Sequence, residues 1–506
     1  MAGSYLRRAI RLPQATAMVV GTIIGTAIFV QPSEVTGQVP TVAGVFAVWL
    51  VCGVLTLFGA LVCAELSSIF TRSGGVYVYL KEAYSPAVGF LWGWAMFWTM
   101  HSGIIAAIAT VCGRYTAYFV ELDDNGIKAV GIAMIVLLSA VNYAGVRQGS
   151  QLQTLFTVGK IIAIAVIIAA GFWFGAGAHE RVLEAGAATL EVPVPAGSGA
   201  ETAAVGAGTG TFGVIEFLLA LVAGLFAFGG WHMVTYNSEE TVEPRTTVPR
   251  ALIIGTGIVT FCYVAMNAVY MWVLPLETIA ASTRVAADAA DAVWGSGGGS
   301  MMSALVIFSA FGALAGIILA GPRVYYAMAQ DGLLFRWAGA VHPKFHTPHR
   351  AIVLQGVWSC VLVATGSYRV LFTRVIYTEW IFFGLMALGL IILRRRDAAH
   401  AAANPHSDDA DRPFKADYHV WGYPAVPLIF AFSAFAIVIN QVISRPVESA
   451  TGLSLVLIGL PVYYLWARNP SPPAAEDGSL ETPPAPASEE SDAAGSTQPP
   501  RIPEQE

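Results

Sequence analysis

Predominantly apolar runs, most of them about 17 to 25 residues long, the length that crosses a bilayer as a helix, recur along this chain between short polar stretches. They cover 14–34, 42–68, 88–118, 128–145, 152–174, 212–237, 250–274, 302–329, 351–366, 371–393, 421–443 and 450–467, which predicts twelve transmembrane helices. Stretches such as GIAMIVLLSAVNYAGV are continuously apolar, and the alternation over roughly 10 residues that marks an outer-membrane barrel strand does not occur. The expected fold is an all-α membrane protein. The first run follows LRRAIR and has no small-residue cleavage site after a short apolar region, so it reads as a retained span and not a signal peptide.

Two runs carry glycine where simple spanning does not call for it. The first contains VGTIIGTAIFVQP (20–32) and the sixth contains GLFAFGGWHM (224–233), five spans later. Glycine loosens helix backbone and proline removes a donor. Interrupted helices in corresponding halves of a membrane protein point to an inverted repeat with a binding site near the midplane. Five plus five spans with two appended accounts for the count. A single glycine-bearing span is explained by close helix packing, but two such spans five apart favour paired breaks. Each break frees N–H and C=O groups that hydrocarbon cannot solvate. A zwitterion satisfies both kinds, its carboxylate at a half-helix N-terminus and its ammonium on the free carbonyls.

Composition agrees with a membrane location: 56% of the 506 residues are hydrophobic and 12% charged, with mean hydropathy +0.63. Lys and Arg crowd one side of the predicted spans. With the N-terminus inside, Arg7, Arg8, Arg11, Arg72, Lys81, Arg147, Lys344 and Arg394–Arg396 are among those that fall inside, whereas Lys128, Arg181, Arg284, Arg369, Arg374 and Arg445 fall outside. Both termini are thus expected in the cytoplasm. The net charge of −6 says little about partners, because a Pro- and Glu-rich tail from 468 to 506 supplies much of the acid. That tail is expected to be disordered, and the Ala-, Gly- and Pro-rich loop of 175–211 to be extracellular without a folded domain. Cys52, Cys63, Cys112, Cys262 and Cys360 all lie in predicted spans, with neither metal-like nor disulfide-like placement.

The glycine stretches, together with AELSSIFTRSGGVYVYLKEAY (64–84), FAFGGWHMVTYNSEET (226–241), EPRTTVPRAL (243–252), YYAMAQDGLL (325–334) and DRPFKADYHVWGYPAVPLIF (411–430), resemble the amino acid–polyamine–organocation permeases. The resemblance is closest to the L-type amino acid transporter branch and its bacterial relatives, and it implies the leucine-transporter fold. By that resemblance, N–H groups around Gly25, Thr26 and Ala27 receive a substrate carboxylate. Carbonyls of Ile23, Phe226 and Gly229, with Ala227 beside them, hold its ammonium. Phe226 also gates the site and Trp231 shapes its far side. The chain departs from the family pattern at Thr26-Ala27, where Ser-Gly is usual, and at His232, where relatives often carry Asn. The outer loop ELDDNGIK lacks the cysteine through which animal members bind a heavy chain, so no disulfide-linked heavy chain is expected.

Ionisable residues inside spans mark function more often than packing. Lys160 stands alone in LFTVGKIIAIAVIIAAG and needs a partner; the freed carbonyls near Gly21 and Thr22 are candidates. The resemblance places it where sodium sits in sodium-coupled cousins of the fold, and snorkelling to the interface is the plainer alternative. Glu379, in VIYTEWIFFG, is read as a gating or proton-transfer carboxylate, or else as a rim residue. Glu216 reads as structural and His101 as a packing histidine. His342, His346 and His349 lie in HPKFHTPHR without a carboxylate or thiol, which disfavours a metal site.

HExxH and GxSxG motifs are missing, as are an aspartyl pair and a filter repeat, which disfavours an intramembrane enzyme or a channel. The expected activity is sodium-independent secondary transport of L-α-amino acids, by exchange or with protons. Neutral substrates are favoured because neither broken segment holds an acid. Polyamine or cationic amino acid antiport is the alternative, with a transport-derived sensor behind it. No cofactor, metal or nucleic acid is expected; the partners are the amino acid, the bilayer and at most a weakly associating second copy.

Overall fold

The computed structural model describes residues 6, 8–178, 180, 212–295, 297–366, 368–404 and 413–467. The expected tail and most of the expected outer loop lie outside them. Helices account for the regular structure among the described residues, and each of the predicted apolar runs falls on helix. Among the described residues nine helices are long and apolar enough to cross a membrane, and Leu12–Ile23 and His349–Thr365 are shorter apolar ones. A helix of 36 residues, Tyr368–Ala403, runs through the expected tenth span.

The sequence reading did not anticipate short helices between the long ones. Gln31–Gln38 continues the first run, Val76–Ala83 precedes the third span, and Leu276–Ala281 and Val285–Trp294 fill the connection before Gly298–Ala320. Their apolar periods are too brief to show against neighbouring spans.

The two interrupted helices occupy the centre. Leu12–Ile23 packs against Val146–Phe174, Pro244–Val273, Gly298–Ala320 and the Trp231–Glu240 segment. Val42–Ile69 and Pro244–Val273 lie along one another beside them. All five cysteines are free.

Polar groups gather where the N-terminal segment meets the ends of several helices. Ala9 and Ile10 donate from their N–H groups to the Glu240 carbonyl (2.8 and 2.9 Å), and Val242 N–H donates to the Ile10 carbonyl at 2.8 Å. This makes an isolated parallel bridge between Ile10 and Thr241. The Glu240 carboxylate meets Arg323 in a two-pronged pair, with Nε to Oε2 at 2.9 Å and Nη2 to Oε1 at 3.0 Å, and both side chains are fully buried. Glu65 is gripped by Arg394 through two bonds of 2.6 Å and accepts a third from Val420 N–H. Asp331 accepts from Tyr77 (2.6 Å), Lys81 (2.8 Å) and Arg72 (3.0 Å). Burial pushes the Asp331 carboxyl up, but those hydrogen bonds and the adjacent cations outweigh it and hold the group below the usual carboxylate range.

The mixed-sign segment after the sixth span is ion-paired, through Glu240 with Arg323 and, more loosely, through Arg245 with Asp417 at 3.4 Å. Removing one member of a buried pair strands the other's charge, at a cost of about 3–5 kcal/mol. Arg323→Met is therefore expected to lower the melting temperature of the purified protein sharply, and Arg323→Met/Glu240→Met to recover most of it. A double variant as unstable as the single would show that the pair itself, and not the stranded charge, matters.

Candidate functional site

The first interruption begins where Leu12–Ile23 stops. Ile24 takes φ −74° and ψ 85°, near an inverse γ-turn, and Gly25 N–H closes that turn onto the Ile23 carbonyl at 2.8 Å. The chain resumes as a 3₁₀ turn at Ala27–Phe29 and then as Gln31–Gln38. Between the two pieces, the N–H groups of Thr26 and Ala27 find no acceptor among the described residues.

The second interruption follows Val214–Ala227. Phe228 and Gly229 lead to Gly230, whose φ of 99° lies in the left-handed region, and Trp231–Glu240 continues as a 3₁₀ segment. A β-carbon on Gly230 would also come within 3.0 Å of the Thr22 carbonyl. Glycine is therefore required here twice over, by conformation and by the approach of the other break.

Side chains re-pair most of what the breaks release. Lys160 is 1% exposed and donates to the carbonyls of Ile24 (2.5 Å), Gly21 (3.2 Å) and Ser309 (3.2 Å). Ser309 Oγ reaches the Gly25 carbonyl at 3.0 Å. Thr22 Oγ1 donates to the Gly230 carbonyl at 3.1 Å, across to the second break. Tyr263 Oη stands 2.9 Å from both the Ile23 and the Ala227 carbonyls, so one phenolic proton is shared between the two interruptions.

A cavity lies between the breaks, lined by Ile23, Gly25, Thr26, Ala27, Phe226, Gly229, Trp231 and Glu379 among others. The space open to the centres of water molecules is about 30 Å³, room for a few waters at most. Most of the remaining wall is apolar, with Ile104, Ile108, Trp380 and Phe383 facing it. Glu379 is 5% exposed and brings a carboxylate to this wall.

Several expectations change in detail. Ala227 does not line the cavity; its carbonyl is turned to Tyr263. The Ile23 carbonyl already accepts from Gly25 and Tyr263, and that of Phe226 from Gly229 N–H at 2.9 Å, whereas the Gly229 carbonyl takes no donor among the described residues. Gly25 N–H is likewise spent within its own turn. Lys160 lies behind the first break and not in the cavity wall. The grounds for an acid-free pocket also fail, because Glu379 reaches the cavity from outside either broken segment.

His101 is buried with Nε2 2.7 Å from the Ile317 carbonyl, a packing arrangement, and His232 sits among Trp92, Trp231 and Phe383. Glu216 accepts from Gly213 N–H at 2.9 Å and caps its helix. Among the described residues no group of three or more His, Cys, Asp or Glu is arranged to hold a metal. Tyr263 and Ser309 escaped the sequence reading, since a hydroxyl within an apolar span gives no pattern that separates it from packing.

Long apolar helices with two central interruptions and a small cavity between them define a multi-pass membrane protein. The sequence model of the amino acid permease family matches residues 10–464, and the chain belongs to that family. It is 29% identical to the human b(0,+)-type amino acid transporter 1, over 92% of this chain and 91% of that one. It is 29% identical to the serine/threonine exchanger SteT of Bacillus subtilis, over 91% and 97%. The large neutral amino acids transporter small subunit 2 of Oryctolagus cuniculus is 30% identical, over 92% and 82%.

Tyr263→Phe removes the proton shared by the two interruptions and leaves the buried Ala227 carbonyl without a donor, at about 1–3 kcal/mol. A lower melting temperature with unchanged membrane insertion is expected. Unaltered stability would show that Tyr263 is not what joins the breaks.

Proposed function

We propose that the chain is a sodium-independent carrier of L-α-amino acids that works by alternating access around the cavity between its two broken helices. The observation that carries this reading is the set of unpaired backbone groups there: Thr26 and Ala27 N–H on one side, the Gly229 carbonyl on the other. They offer donors to a carboxylate and an acceptor to an ammonium, and the apolar wall suits a neutral side chain. The relatives, named as amino acid transporters and a serine/threonine exchanger, agree with it. Lys160 occupies with its own ammonium the carbonyls that a sodium ion would otherwise need, which is why no sodium requirement is expected.

Helix contacts support a leucine-transporter-type 5+5 inverted repeat followed by two helices. The first expected span packs on the seventh as the sixth packs on the second, and the first on the fifth as the sixth on the tenth. The second and seventh, third and eighth, and fourth and ninth pack on each other. Pairing each span with the one five later maps this set of contacts onto itself. On this reading residues 1–13 precede the core, 14–394 form it, 395–420 connect it to the helices of 421–467, and 468–506 are the tail, with both ends cytoplasmic.

Glu379 favours a second reading. A carboxylate on an otherwise apolar wall is costly when charged and unpaired, so it takes a proton with a neutral substrate or pairs with a cationic side chain. A panel of radiolabelled amino acids offered to proteoliposomes, with and without internal substrate and with an imposed pH gradient, separates these. Strict dependence on internal substrate marks an exchanger, and uphill uptake driven by external acid marks a proton symporter. Under the main reading, uptake of neutral amino acids persists when sodium is replaced by choline; a sodium requirement overturns the role given to Lys160. Under the second, Glu379→Gln abolishes uptake of lysine or arginine while sparing neutral substrates, and equal effects on both exclude it.

Thr26→Pro deletes one of the free donors within a segment that is already non-helical. Loss of substrate binding with normal insertion is expected, and unchanged affinity would refute the carboxylate site.

A further inference from the structure

A second, larger cavity of about 620 Å³ lies away from the central one, where the N-terminal segment, the start of Val146–Phe174 and the connector before His349–Thr365 meet. Its lining includes Arg8, Arg11, Arg147 and Lys344 and, among the described residues, no Asp or Glu. Among the described residues none of these cations forms an ion pair. The volume is that of an ordinary small-ligand site.

The backbone adds to the positive character. Arg11 and Gln14 bracket the N-terminal turn of Leu12–Ile23, and Gly145, Val146 and Arg147 form that of Val146–Phe174, so two helix N-termini open on the same cavity. Each brings the positive end of a helix dipole, although at Leu12–Ile23 the Arg11 N–H is already bonded to Gln14 Oε1 and Pro13 has no N–H to offer. The four cationic side chains come from three separate stretches of chain and are solvent-exposed, so their mutual repulsion is partly screened, and the shared cleft keeps like charge on one surface. An anion relieves the repulsion that is left, and the forked donors of three arginines suit phosphate oxygens in particular.

We infer that this cavity binds a phosphate-bearing anion that draws together the N-terminal segment, the start of Val146–Phe174 and the Lys344 connector. The position gives the site a consequence. Ala9 and Val242 also line it, and these residues belong to the bonded pairing of Ala9 and Ile10 with Glu240 and Val242. An anion held here fastens the N-terminal segment in the arrangement in which that pairing is made. The inference does not depend on which amino acid the central cavity takes.

Phosphate on a lipid headgroup and free phosphate share this chemistry, and the test separates them. The full-length protein is placed in nanodiscs of phosphatidylcholine, and its unfolding temperature is followed while inorganic phosphate is added against chloride at equal ionic strength. In a second arm, part of the phosphatidylcholine is replaced by phosphatidylglycerol. The expected result is a rise in at least one arm for the unmodified protein, with the midpoint of the response weakened on the order of tenfold or more in Arg11→Gln/Arg147→Gln. A rise with phosphate identifies the free anion, and a rise only with phosphatidylglycerol identifies a headgroup. Lys344→Gln, an exposed change in the connector, gives the same comparison should the double variant not fold. No rise in either arm, or the same rise in the variants as in the unmodified protein, overturns the inference.

Discussion

A helix can be opened inside hydrocarbon only where each peptide group it releases finds another partner. That constraint organises the centre of this molecule. Lys160, Ser309, Thr22 and Tyr263 come from four different helices and converge on the carbonyls of two interruptions. Lys160 does most, since one ammonium takes three carbonyls and is itself satisfied by them. Neither party is tolerable alone: the charge without the break lies buried and unpaired, and the break without the charge leaves the Gly21 carbonyl without this donor and the Ile24 carbonyl with only the longer Ser309 hydroxyl contact.

What these side chains do not re-pair is as informative as what they do. Among the described residues, Thr26 and Ala27 keep N–H groups and Gly229 a carbonyl without a partner, and all three residues line the cavity. Tyr263 makes the two interruptions a single unit, because its proton lies between a carbonyl of each, and Thr22 reinforces the link through Gly230. Moving one break relative to the other costs both of these bonds. A substrate that supplies its own donors and acceptors across the same gap offsets that loss, which is a physical basis for coupling occupancy to rearrangement.

The apolar helical runs, the all-helical class and the two interruptions were legible in sequence because they rest on composition, run length and glycine placement, all local properties. The need of Lys160 for a partner was legible for the same reason, since an ammonium within an apolar run violates a local rule. Partners across the fold were not. Nothing near Glu240 designates Arg323, 83 residues away, and nothing near Glu65 designates Arg394. Tyr263 reads as one more large residue in an apolar run, although its hydroxyl joins the breaks. Glu379 was visible as an anomaly, but its presence on the cavity wall depends on where the tenth helix packs. Hydrophobic periodicity reports that a position is buried and is silent about what it is buried against.

The face carrying the N-terminal segment is held by bonds that differ in how they yield. The Ile10–Thr241 bridge is backbone pairing that water replaces readily once it enters. The Arg323–Glu240 pair is sealed from solvent, so separating it demands that both charges be hydrated or re-paired together. An intermediate with one charge freed and the other still buried lies high in energy. Opening at this face is consequently expected to be all-or-none, with the cost concentrated at the pair. A closed face of that kind and a nearly filled cavity belong together. If the cavity is the substrate site proposed above, admitting an amino acid requires the helices around the breaks to separate, and the same displacement decides on which face Thr26, Ala27 and Gly229 are reached.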